Sequence, residues 1–82
     1  MEKMEASLTV LIMSIGSSAA IAMGLEPDPQ TGQFNTDKEL ARFNIDLLTV
    51  LKNKTVNNLS TDEQQFIDSL IHDLRLKFTQ LK

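Results

Sequence analysis

The sequence predicts an all-α fold of three helices, over about residues 5–23, 36–54 and 60–80. Three observations predict it. Apolar residues recur at intervals of three and four, and no run alternates apolar and polar with the period of two that a strand needs. Two four-residue stretches, TDKE at 36–39 and STDE at 60–63, carry the pattern with which helices open. Both prolines and two of the three glycines are gathered between Gly24 and Gly32, where they punctuate rather than continue a helix.

The first helix is apolar nearly all round. Leu8, Leu11, Ile12, Ile15, Ala19 and Ala22 form one side, and Thr9, Met13, Gly16, Ala20 and Gly24 form a second side of mostly small residues. Only Ser7, Ser14 and Ser18 make a polar strip. Such a helix must be buried on most sides. Two further short helices do not easily cover it, so the expected cover is a second copy of the chain, another protein, or lipid. The ladder Gly16, Ala20, Gly24 allows close backbone approach, which packing within one chain explains equally well.

Between Gly24 and Phe34 the stretch GLEPDPQTGQF stops that helix. Glu26 and Asp28 precede prolines, which excludes helix at both. Asp28 to Thr31 fits a type I turn, with aspartate first and proline second. Gly32 then redirects the chain with positive φ.

The second helix opens at Thr36, with Glu39 placed to complete a capping box. Leu40, Ala41, Phe43, Ile45, Leu47, Leu48, Val50 and Leu51 give it a wide apolar arc, opposite Glu39, Arg42, Asp46 and Asn53. Asn44 interrupts the arc. It either meets solvent or a turn there, or it fixes register against a first-helix serine or a symmetry mate, as a lone polar residue in an apolar seam does. In KTVNNLS the helix ends near Lys54, and Asn57 or Asn58 takes the left-handed conformation.

The third helix opens on the Ser60–Glu63 capping box. Ile67, Leu70, Ile71, Leu74, Phe78 and Leu81 form the cleanest amphipathic stripe in the chain. Asp62 and Glu63 in the first turn, with Lys77 and Lys82 near the end, match the helix dipole. Leu76 points away from the stripe and is a candidate for a second contact surface.

Composition narrows the function. Eighty-two residues make one small domain, 1–82, whose own core gives thin stability. Without cysteine there is no disulfide and no thiolate nucleophile or ligand. The net charge of −3 is spread evenly along the chain. With no basic cluster, no Trp or Tyr and scattered Phe, no nucleic-acid partner is expected. From Ala6 to Leu25 the chain carries no charge, which imitates a membrane span or an export signal. The serines and glycines within it and the acidic MEKME before it weaken both readings.

Taken in order, GLEPDPQTG, ELARFNIDLLTVLKNKTVNNLSTDE and LRLKF resemble the bacterial domain of unknown function numbered 1844. That family's pattern has a serine- and alanine-bearing apolar N-terminal helix and a PDP-x-TG turn. An ID-x-L helix, a KT-x-GNL turn and a final helix with LR follow. Here these map onto Pro27 to Gly32, Ile45 to Leu48, Lys54 to Leu59, and Leu74 with Arg75. Asn57 stands where the pattern has glycine. The resemblance implies a small, all-helical, cytoplasmic bacterial protein. It supplies no activity and no catalytic residues.

Chemistry is thinly represented. His72 is the only histidine, with Asp68 one turn before it on what reads as a solvated face. An i, i+4 Asp–His pair without a further ligand is a poor metal site. The carboxylates at 26, 28, 62 and 63 are explained by a turn and a helix start. The first-helix serines have no base nearby, and no strand precedes the glycines to make a phosphate loop. The sequence therefore predicts a non-enzymatic interaction protein without cofactor or metal, a homo-oligomer or an accessory subunit of a larger assembly. Its interface is expected at Leu8, Leu11, Ile12, Ile15, Gly16, Ala20, Gly24 and Asn44. A second reading attaches the protein to a membrane with the first helix in lipid and 36–82 as a cytosolic hairpin. A third makes it a small metal or ligand binder using Asp68 and His72.

Overall fold

The computed structural model describes residues 7–81. Three helices make up the fold: α1, Leu8–Ala22, α2, Lys38–Lys54, and α3, Thr61–Thr79. The fold is all-α, as predicted; among the described residues the extended pairing is confined to one isolated bridge between Met23 and Thr36.

Each helix starts where a side chain satisfies an exposed amide. Ser7 is extended and its hydroxyl accepts from Val10 N–H at 3.1 Å, so α1 opens at Leu8 rather than near residue 5; residues 5 and 6 lie outside the described residues. The expected capping box at Thr36 and Glu39 is not formed. Asp37 caps α2 instead, its carboxylate accepting from Leu40 N–H at 3.1 Å. Thr36 is held by its bridge to Met23, one residue too early to cap. The Ser60 box is present in full, with Ser60 Oγ accepting from Glu63 N–H at 3.1 Å and Glu63 Oε1 accepting from Ser60 N–H at 2.9 Å.

The connections follow the turn residues. Gly24 takes φ +75 at the end of α1. Leu25 N–H donates to Ala20 C=O and Gly24 N–H donates to Ile21 C=O, both at 3.0 Å, the pair of bonds that defines a Schellman stop. Asp28 Oδ1 accepts from Gln30 N–H at 2.8 Å and Asp28 C=O accepts from Thr31 N–H at 3.2 Å, the expected reversal, and Gly32 follows at φ +71. The Ala22 carbonyl then accepts from Asp37 N–H at 2.7 Å, clasping the end of α1 to the start of α2. Between α2 and α3 the left-handed residue is Asn57, at φ +70.

The core draws on all three helices. Ile12, Leu48 and Ile67, one from each, are fully buried, and Ala19, Ala22, Met23, Ala41, Ile45, Ile71 and Leu74 pack around them. Burying such a side chain is worth about 1.5–3 kcal/mol. The Cα trace extends 37 × 36 × 16 Å, so the helices lie side by side in a slab and none is enclosed by the others. α1 is thus covered along one face by its own chain, where the sequence led us to expect cover from outside.

Candidate interaction surface

Six of the eight residues expected at an interface lie on α1. The chain itself buries Ile12 and Gly16: Ile12 is fully enclosed, and a β-carbon built on Gly16 would lie 3.0 Å from Leu70 Cδ2 of α3. Leu8, Ile15 and Ala20 are half-buried, Gly24 ends the helix, and Leu11 is exposed. Asn44 is buried, and its amide donates to Leu40 C=O of its own helix at 2.9 Å. That bond supplies the partner a buried amide needs, without a first-helix serine.

The wide arc of α2 divides in two. Ala41, Asn44, Ile45 and Leu48 face the core. Leu40, Phe43, Leu47 and Val50 do not; they are between 36% and 57% exposed. At 100° per residue these four fall within about 80° of one another, so they form one uncovered stripe along the helix. Leu40 and Ser18 line the same groove, which puts the side of α1 that carries Leu11 next to this stripe. Sequence reasoning placed the stripe on one wide apolar arc and did not separate it from the core. The signal available was the arc's width, since eight apolar residues exceed what one buried face of such a helix takes up.

The opposite edge of α2 is fastened to α3 by polar contacts. Lys52 Nζ meets Asp68 Oδ1 at 2.6 Å, and Arg75 Nη2 donates to Thr49 Oγ1 at 2.8 Å. The Lys52 ammonium, and after it the Gln64 amide, hold the Asp68 carboxyl below its ordinary value against a smaller opposing effect of desolvation. Asp68 therefore reaches α2 from a face that stays partly exposed, and both its oxygens are engaged by Gln64 Nε2, at 3.1 and 3.2 Å. These contacts compete with any pairing of Asp68 with His72, which stays exposed. Among the described residues no three His, Cys, Asp or Glu side chains come together as a metal site.

The groove of about 340 Å³ between α1, the 28–37 connection and α2 includes Asp28 and Asp37 in its lining. Each already accepts a backbone N–H through Oδ1, from Gln30 and Leu40 respectively. These carboxylates serve the turn and the cap.

A scan against family models matches residues 5–80 to the family described as Domain of unknown function (DUF1844). The chain belongs to this family. The match spans all three helices and both connections, so the DUF1844 pattern seen in the sequence coincides with the folded unit. Asn57, where the DUF1844 pattern has glycine, is the residue at positive φ, which asparagine tolerates better than other side chains. No curated protein and no solved structure matches the chain. No described helix is long and apolar enough to cross a membrane. The 15 residues of α1 span about 22 Å against a hydrocarbon core of ~30 Å. This corrects the expectation that α1 could be buried as a span in lipid.

Proposed function

We propose that this DUF1844 protein is a cytoplasmic, non-enzymatic interaction protein that assembles with copies of itself through the uncovered stripe on α2 and the neighbouring Leu11 of α1. The observation that supports this is the stripe: four large apolar side chains aligned and exposed on a chain of 82 residues whose core is formed elsewhere. Contiguous apolar surface of this kind marks interaction sites in soluble proteins. Of the interface residues read from the sequence, the proposal keeps Leu8, Leu11 and Ile15 at the edge of the surface and leaves Ile12, Gly16 and Asn44 to the fold. Binding partners, rather than turning over substrate, is the role the side chains favour, since the carboxylates nearest a groove are spent on backbone amides.

The test is light scattering after size exclusion over a dilution series in detergent-free buffer. The expected mass rises with concentration to a whole multiple of the 9.2 kDa chain. Phe43→Ser should abolish the rise and leave helix content unchanged. A chain that stays at 9.2 kDa throughout would sink the proposal.

A further inference from the structure

The exposed stripe of α2 is symmetric about its own midpoint. Leu40 and Val50 lie five residues before and after Ile45, and Phe43 and Leu47 lie two before and two after. We infer that two copies pair through α2, antiparallel, about a two-fold axis level with Ile45. The inference rests on the self-association proposed above. In this pairing Leu40 stands opposite the partner's Val50, and Phe43 opposite the partner's Leu47. Every large side chain of the stripe then meets an apolar counterpart, which is what a closed isologous contact requires of a surface.

The charges flanking the stripe approximate the same symmetry. Arg42 and Asp46 are both exposed on the flank of α2 between the stripe and the edge fastened to α3, with Asp46 the nearer to the stripe. About the axis, Arg42 and the partner's Asp46 come within two residues of each other along the helix, about 3 Å of rise, and the contact occurs twice. Farther out, Lys54 in the last turn comes within three residues of the partner's Glu39 in the first turn. That arrangement also sets the negative end of each helix dipole beside the positive end of the other. A parallel pair in register would instead set Glu39 against Glu39 and Lys54 against Lys54. The charges therefore favour the antiparallel arrangement and argue for a second copy rather than an unrelated partner, for which such internal symmetry has no use.

The experiment reverses one charge at a time. Arg42→Asp sets a new carboxylate against the partner's Asp46 in a pair of identical chains. Asp46→Arg sets a new guanidinium against the partner's Arg42. Each variant is expected to associate about tenfold more weakly than the parent, the sum of small exposed-charge effects at two symmetric contacts. A one-to-one mixture of the two variants restores opposite charges at both contacts and should recover parental association. Each chain in the mixture keeps its own like-charged i, i+4 pair, so recovery cannot come from repairing a single helix. Helix content by circular dichroism checks folding of both variants. If the parent assembles but both variants assemble equally well, or if the mixture stays as weak as its components, the α2 pairing is overturned while self-association stands. A parent that is monomeric at every concentration overturns both.

Discussion

Leu70 of α3 lies over Gly16 of α1, its Cδ2 3.0 Å from where a glycine-to-alanine change would place a carbon. This one contact changes how α1 is read. The small residue serves the joint between two helices of the same chain, and the sequence alone offered it equally to a joint between chains.

Gly16→Ala should leave stability within about 1 kcal/mol of the parent. Alanine gains up to ~1 kcal/mol of helix propensity, and the atom it meets is the end of a half-buried leucine that can swing aside. Gly16→Arg cannot be accommodated this way, because it displaces Leu70 and parts α1 from α3. Chemical denaturation should show it losing more than about 2 kcal/mol. The arginine variant thus reports on folding of the single chain and says nothing clean about assembly.

Gly24 and Gly32 both have positive φ, but only Gly24 is crowded: a β-carbon there would lie 2.7 Å from Thr36 Oγ1, whereas Gly32 has open space. Gly32→Ala should cost only the backbone penalty, about 1–2 kcal/mol. Gly24→Ala should cost more than Gly32→Ala, and adding Thr36→Ala should recover the difference. Equal midpoints in urea for the two single variants would contradict this.

Lowering the pH should unfasten α2 from α3 at one point. Asp68 is held below its ordinary value by Lys52 and Gln64, so its contribution is complete above the unfolded value of about 3.9 and is lost as pH falls through the lower folded value. Asp68→Asn should therefore lower the thermal midpoint slightly at neutral pH, and the gap should close in acid. A gap that persists unchanged in acid strong enough to protonate the carboxylate in both states would mean that packing, not charge, is responsible.

Core and stripe should respond oppositely to truncation. Ile67→Ala removes a fully buried side chain and should cost about 2–5 kcal/mol. Phe43→Ser changes an exposed one and, measured at a concentration where the chain is monomeric, should shift stability by less than ~0.5 kcal/mol. A large loss from Phe43→Ser would place that ring in the fold.

Much of the fold was legible in the sequence, because its signals are local. The Ser60–Glu63 box, the stop at Gly24, the reversal after Asp28 and the left-handed Asn57 each depend on residues within one turn of each other. Thr36 shows where local reading fails. Its pattern with Glu39 is the same as that of Ser60 with Glu63, but Thr36 is drawn into a bridge with Met23, a contact across the connection that no four-residue window contains. The surface was less legible for a related reason. Periodicity locates an apolar arc but not the boundary between its buried and uncovered parts, and in α2 that boundary runs between Leu47 and Leu48. It is set by where α1 and α3 come to rest.

The 2.7 Å bond from Asp37 N–H to Ala22 C=O has a kinetic consequence. It closes a short loop whose interior is pre-bent by Asp28, Pro29 and Gly32, so α1 and α2 can meet without a long search. The contacts formed first are then near neighbours in sequence, the kind of topology that folds in microseconds to milliseconds. α3 is joined to α2 through a second, shorter turn, so its contacts with α2 are local as well. Pulse-labelled hydrogen exchange during refolding should find the Asp37 amide protected no later than the amides of α3.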